Sequence, residues 1–164
     1  MGTTGLLTVR HRRQDDDEFI RDVAQESLAR WSTAPKQSIT AMIHGRMSRT
    51  IVAEKDGERL GFAIVAFEAL PRPYGPWSHP VLAHLDAIAV RKNARRMGIG
   101  QILLASAETV ANEAGAIVMT LNTACNNRAA LALFRGYGYQ ATREIPEFYR
   151  GGQPAWAMTK LLAK

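Results

Sequence analysis

Val90-Arg-Lys-Asn-Ala-Arg-Arg-Met-Gly-Ile-Gly-Gln101 places four cations and two glycines between an apolar run that ends at Val90 and a stretch of helical periodicity over residues 98–114. A helix N-terminus carries unpaired backbone N–H groups and the positive end of the helix dipole, and Gly98 and Gly100 leave it open to an anion. Arg91, Lys92, Arg95 and Arg96 lie just upstream and add positive charge suited to a pyrophosphate. Val81–Val90 reads as a strand and so do residues 116–121, which makes the quoted stretch the first turn of a βαβ unit. The fold class is therefore α/β.

Outward from this unit the pattern keeps alternating. Residues 6–9 read as a short strand, and Asp15, Asp16 and Asp17 supply an N-cap and a negative first turn for a helix. Phe19, Ile20, Val23, Ala24, Ser27, Leu28 and Trp31 recur along it at helical spacing. Pro35 can open a second helix with Ile39, Met42, Ile43 and Met47 on its apolar side. The run from Thr50 to Glu54, the turn Asp56-Gly57 and the run from Leu60 to Phe67 predict a hairpin. Residues 71–80 hold too many prolines for a regular element and are predicted as a loop, with Tyr74 and Trp77 either lining a binding site or, the preferred reading, covering the core. Downstream come a helix over 127–135, a Gly136-Tyr-Gly-Tyr139 break and strands over 140–145 and 155–162, turned by Gly151-Gly152. The expectation is one domain over 1–164, a mixed central β-sheet flanked by helices in the order β-α-α-β-β-β-α-β-α-β-β.

A chain of 164 residues, 46% hydrophobic and 22% charged, can bury one substantial core. Its net charge of +6 favours an anionic partner, which leaves nucleic acid, acidic membrane and phosphorylated cofactors as classes. The cations are not interleaved with aromatics and form no recognition module, so no nucleic acid is expected. No apolar run approaches the ~20 residues of a membrane span. The first nine residues lack a long apolar leader and are followed by Arg10, His11, Arg12 and Arg13, so the expected location is the cytoplasm, with no membrane partner. The single Cys125 excludes an internal disulfide, and no Cys/His spacing suggests a metal.

Three phosphate-binding motifs compete for the quoted stretch. A Walker A loop needs Gly-Lys-Ser/Thr where Gly100-Gln101-Ile102 stands, and a dinucleotide fingerprint needs a third glycine where Leu103 stands. The remaining pattern, Arg95-x-x-Gly98-x-Gly100 after Leu85-Asp-Ala-Ile-Ala-Val90, resembles the acetyl-CoA-binding motif of the GNAT superfamily of N-acetyltransferases. Asn127-x-x-Ala130-x-x-Leu133-Phe134-x-x-x-Gly138-Tyr139 resembles the second motif of that superfamily at identical spacing. The predicted order of elements is similar to the GNAT fold over nearly the whole chain.

The resemblance implies acetyl-CoA as cosubstrate, in a cleft where the strands ending at Val90 and near Leu121 splay apart. The pantetheine arm would pair with backbone around Ile88, Ala89 and Val90. Arg95 and the amides of Arg96, Met97, Gly98, Ile99, Gly100 and Gln101 would hold the pyrophosphate, with Asn127 and Phe134 contributed by the second motif. A bulge near Ala89 or Val90 would present N–H to the oxyanion.

Transfer to an amine also needs a base. His84 and Asp86 lie two apart on one strand and are expected on one face with Ile88 and Val90. A histidine near pKa ~6.5 suits neutral pH better than an aspartate near ~3.9, although a burial-raised Asp86 acting through water is equally open. For the acid the sequence departs from the superfamily, because Phe134 stands where many members carry tyrosine. Tyr139 is the candidate in its place, with water and a core role for Tyr139 as the alternatives. A covalent route through Cys125 ranks last, since no histidine lies beside it.

Residues 147–160 resemble the closing hairpin of ribosomal-protein alanine N-acetyltransferases, where a tyrosine-bearing loop holds the acceptor; Tyr149 is the matching residue here. Those enzymes carry a catalytic glutamate where Asn122 stands. The acceptor wall is expected from residues 31–47 and 145–153, with Trp31 and Tyr149 as substrate-binding residues. It holds no acidic cluster, and Lys36, His44 and Arg46 tilt it positive, which suggests a neutral or acidic primary amine, on a small molecule or a protein N-terminus. An acyl-CoA sensor or catalytically silent module is the alternative, and a homodimer is entertained as the assembly.

Overall fold

The computed structural model describes residues 5–162. Residues 1–4 and 163–164, included in the predicted domain and in the reading of the N-terminus, lie outside that range. Within it run β1 (Thr8–His11), α1 (Asp17–Leu28), α2 (Pro35–Ile43), β2 (Ser48–Lys55), β3 (Glu58–Ala69), β4 (Val81–Val90), α3 (Ile99–Glu113), β5 (Ala116–Ala124), α4 (Arg128–Gly136), β6 (Gln140–Ile145) and β7 (Ala155–Leu161). The order matches the expectation element by element. β1 begins two residues later than expected, and α1 stops at Leu28, which leaves Trp31 on the loop to α2. The proline-rich loop closes on itself through mutual backbone hydrogen bonds between Tyr74 and Trp77.

The strands form one sheet in the order β1-β2-β3-β4-β5-β7-β6, in which only β4 and β5 run parallel. Parallel neighbours need a crossover, and α3 provides it. Helices α3 and α4 cover one face with Leu103, Leu104 and Ala107 at the centre; α1 and α2 cover the other with Ile20, Val23 and Ile39. Gly61 on β3 lets α3 press close, because an added Cβ would meet the Ala89 carbonyl at 2.7 Å and Leu103 Cδ1 at 3.0 Å. Leu103, which breaks the dinucleotide fingerprint, is fully buried there.

Two irregularities in β4 shape the site. Ile64 pairs with Ala87 and Val65 with Leu85, so Asp86 is the extra residue of a β-bulge. One extra residue inverts the two-residue periodicity. Ala83 and Leu85 accordingly belong to the core under α3, whereas Ala87 and Ala89 belong to the core under α1 and α2. Ile88 and Val90 pack on the α3 side. The expectation that His84, Asp86, Ile88 and Val90 share one face is corrected by this inversion, and the bulge lies three to four residues before the expected Ala89 or Val90. Secondly, the β4–β5 ladder runs from Val81–Ala116 to Leu85–Leu121 and stops, while β5 continues to Ala124 paired only with β7. The strands separate where the bulge begins.

A buried ion cluster anchors the N-terminal elements. Asp16 is fully buried and accepts hydrogen bonds from Arg10 at 2.7 and 3.0 Å and from the Arg13 amide at 2.6 Å, with Arg59 Nε at 2.8 Å. Burial alone would push its carboxyl up, but the Arg10 and Arg13 hydrogen bonds hold it below the ordinary value. Asp16→Asn strands two guanidiniums beside a neutral amide and should destabilise by about 3 kcal/mol near pH 7. A depressed carboxyl stabilises above its unfolded pKa of ~3.9 and loses that contribution as pH falls through its folded value. Urea midpoints of wild type and variant should therefore differ at pH 7 and converge below pH ~3.9; a gap independent of pH would assign the effect to packing.

Candidate active site

A cavity of about 850 Å³ opens where β4 and β5 part, with residues 85–90 on one wall and 121–124 on the other. Its remaining walls are the start of α4, the end of α1, α2, and the loop joining β6 to β7. The end of α1 is the wall that the sequence does not assign to the site: Ser27 and Leu28 read only as part of a periodic helix face, and Glu26 is not singled out.

The basic loop lies at one end. Gly98 is the N-cap of α3 at φ +77°, a left-handed conformation that favours glycine, and its missing Cβ faces open space. Arg96 adopts φ +63°, which costs a non-glycine residue about 1 kcal/mol or more and leaves the loop strained beside the helix end. At Gly100 an added Cβ would meet only Leu133 at an ordinary 3.6 Å, so protein packing does not demand glycine there. Arg95 lines the cavity, donating to the Val90 carbonyl and to Ser27 Oγ at 3.3 and 3.2 Å, while Glu26 accepts the Lys92 amide at 2.7 Å. Arg91 turns away to stack on Phe19 and is not part of an anion seat. Arg96, Met97, Gly98 and Gln101 are exposed, whereas the Ile99 side chain is buried and can offer only its amide.

This end fits the pyrophosphate and pantetheine of CoA. Open amides cap a fifteen-residue helix, one cavity runs from beside it along residues 85–90, and that segment of β4 has lost its β5 partner. Asn127 serves first as a cap, its Oδ1 accepting the Ala130 amide at 3.2 Å, and it also lines the cavity. Phe134 lines the cavity from α4.

His84 and Asp86 stand midway, both on the cavity wall. His84 Nδ1 lies 2.7 Å from Thr120 Oγ1 on β5. Burial lowers the His84 pKa below its ordinary 6.5, partly offset by the Asp86 carboxylate, and burial raises Asp86, partly offset by His84. The histidine is thus mostly neutral at pH 7 and able to accept a proton. Thr120 was not foreseen, because a threonine in a strand carries no signal until its cross-strand neighbour is known.

Tyr139 is not brought to the cavity. Its ring is buried edge-on to Phe134 with 5.9 Å between centroids, and burial together with Glu108, itself held by Lys160, drives its phenol well above the ordinary value. Cys125 stands off the cavity wall, with its thiol pushed up by burial and by Glu144, the reverse of an activated nucleophile.

The far end joins Trp31 and Tyr149, with ring centroids 5.5 Å apart, and Phe148 packs against Tyr149 at 4.7 Å. The β6–β7 loop that carries Phe148 and Tyr149 is tied down by Arg150, whose amide donates to the Trp31 carbonyl at 3.2 Å, and by Asn126 donating to Gln153 at 3.3 Å. Burial, with a smaller effect from Cys125, pushes the Tyr149 phenol up to about 12.

A 118-residue stretch is 26% identical to the N-alpha-acetyltransferase daf-31 of Caenorhabditis elegans, covering 70% of this chain and 60% of that protein. Across five curated relatives, the shared stretch spans 37% to 65% of their own length. The fold superposes on the ribosomal-protein-S18-alanine N-acetyltransferase of Escherichia coli with a TM-score of 0.79 at 20% identity, over 97% of this chain and 96% of that one. Arabidopsis thaliana NAA60, solved in complex with acetyl-CoA, gives a TM-score of 0.78 at 16% identity over 95% and 99%. The family match itself spans residues 16–139, from the buried Asp16 through both motifs to Tyr139. With the split strands, the glycine loop and the second motif all inside that span, the chain belongs to the acetyltransferase (GNAT) family.

Proposed function

We propose that this protein is an acetyl-CoA-dependent N-acetyltransferase that acetylates a primary amine, on a small molecule or a protein N-terminus, by direct attack in a ternary complex. The observation that carries the proposal is one cavity lined by the unpaired edge of β4, the His84–Asp86 pair and Arg95, three residues before the Gly98 N-cap of α3. When bound, acetyl-CoA supplies an activated acetyl thioester. The chain's own task is to hold both reactants and move protons.

The amides of residues 96–101 and Arg95 anchor the diphosphate, and the free edge of residues 86–90 orients the arm that follows. Trp31 and Tyr149 close the opposite end and hold the acceptor, excluding water from the reacting centre. An amine enters as its ammonium and must lose a proton before its nitrogen can attack. His84 takes that proton, and Asp86 beside it stabilises the imidazolium formed. A second proton leaves nitrogen as the amide forms and goes to the departing sulfur, so one proton is released per turnover. Phe134 offers no hydroxyl for that step, which falls to water. The missing hydroxyl also favours a second reading, a module that binds acyl-CoA without turnover; binding without acetylation across a broad panel of amines would support it.

Calorimetric titration with acetyl-CoA should show micromolar-range binding to wild type and its loss in a Gly98→Asp/Gly100→Asp variant that keeps the wild-type circular dichroism spectrum; wild type that does not bind would remove the basis of the proposal. The pH dependence of kcat/KM should show an acid limb falling below pH 6.5, because His84 must be neutral and its pKa is depressed. His84→Gln should abolish that limb and lower kcat by about 10²-fold or more. An unchanged limb in the variant would move the base to Asp86.

A further inference from the structure

His84 meets Thr120 across the parallel β4–β5 pair, one step before that pairing ends at Leu85 and Leu121. The Nδ1–Oγ1 separation is 2.7 Å, and the same hydroxyl lies 3.5 Å from the Ala83 carbonyl oxygen. A threonine hydroxyl has one proton to donate and can accept others. The carbonyl can only accept. At 3.5 Å the Ala83 contact is long for an O–H···O bond, but it offers the hydroxyl proton an acceptor, and the proton can turn to it only when Nδ1–H donates to Oγ1.

We propose that Thr120 is a positioning residue that fixes His84 as the Nδ1–H tautomer, so that Nε2 presents its lone pair to the cavity as the proton acceptor. The inference rests on the function proposed above for its chemical consequence, but the tautomer itself does not depend on it. In the opposite tautomer Nε2 would carry hydrogen and could not take a proton from the acceptor ammonium. With the lock in place, that proton moves from nitrogen to Nε2, the N–H bond electrons remain on the amine, and the imidazolium formed keeps its Nδ1–H bond to Thr120.

Among the described residues Thr120 is the one hydrogen-bond partner of the His84 ring. On the same strand Asp86 is the charged neighbour. On β5 the flanking cavity residue Asn122 is neutral, and α2 contributes the apolar Ile39 and Met42 to the same cavity. Across β3, Ala66 pairs with His84, and Glu68 two residues on is exposed. Arg46, after α2, shares a smaller cavity with Asp86. Burial keeps the ring mostly neutral near pH 7, which is the state in which the choice of tautomer matters.

Long-range ¹H–¹⁵N correlation spectra of the imidazole at pH 7.5, with His84 assigned through His84→Gln, read the tautomer directly. Wild type should show a protonated Nδ1 and an unprotonated Nε2. Thr120→Val, close in shape and suited to a strand, should shift the ring toward the Nε2–H form and lower kcat/KM by less than the about 10²-fold expected from losing the base. Thr120→Ser keeps the hydroxyl and should restore both readouts. An Nε2–H ring in wild type, or a tautomer unchanged in Thr120→Val, would overturn the lock. Wild type that acetylates no amine yet shows the Nδ1–H ring would overturn the proposed function and uphold the lock.

Discussion

The arrangement depends on one backbone event, the parting of β4 from β5 at Leu85 and Leu121. Parallel strands side by side normally satisfy one another's N–H and C=O groups, and a buried group left unpaired costs about 1–3 kcal/mol. The bulge at Asp86 starts the divergence by adding a residue to β4; beyond it β3 still pairs the far edge of β4 and β7 the far edge of β5, so the two edges that face each other across the gap are both open. An extended ligand that pairs with the β4 edge replaces the lost strand. The cavity reaches the basic loop at Arg95, three residues before the α3 N-cap with its own unpaired amides, so one linear molecule with a polar arm and a phosphate end can satisfy both.

The bulge also sets the electrostatics. By inverting the strand's faces it places Ala87 and Ala89 in the core under α1 and α2 and keeps His84 and Asp86 together on the cavity wall. Burial shifts both groups toward their neutral forms, and each partly offsets the other's shift. A histidine short of protons beside a carboxylate is a suitable sink for one proton near neutral pH. The acid side is less developed. Phe134 and the core-bound Tyr139 leave Tyr149 as the phenol on the cavity wall, and its raised pKa keeps it protonated at the acceptor end.

Much of this was legible in the sequence because the relevant signals are local. Helix periodicity, the Asp56-Gly57 turn, the Gly98–Gly100 loop and the Asn127 cap each act within a few residues, and the elements they predicted are present. The Trp31–Tyr149 contact was anticipated only as two residues of one wall, reached through the resemblance of the closing hairpin. What escaped depends on register. A bulge is invisible in Leu85-Asp-Ala-Ile-Ala-Val90, whose alternation reads as an ordinary strand, so Ile88 and Val90 were assigned to the wrong face. Thr120 gains its role only through its register with His84, and Arg91 loses its expected role through Phe19, seventy-two positions earlier. Tyr139 illustrates a further limit, since proximity in a motif does not reveal on which side of α4 a ring packs.

The central claim is that the free edge of β4 and the N-terminus of α3 together hold one linear cofactor. Amide hydrogen exchange with and without acetyl-CoA tests it most directly, because unpaired N–H groups exchange quickly and gain protection when a partner arrives. The account predicts slower exchange in both residues 86–90 and residues 96–101, with the outer strand β6 unchanged. Protection confined to one of the two segments, or found only elsewhere in the sheet, would contradict it.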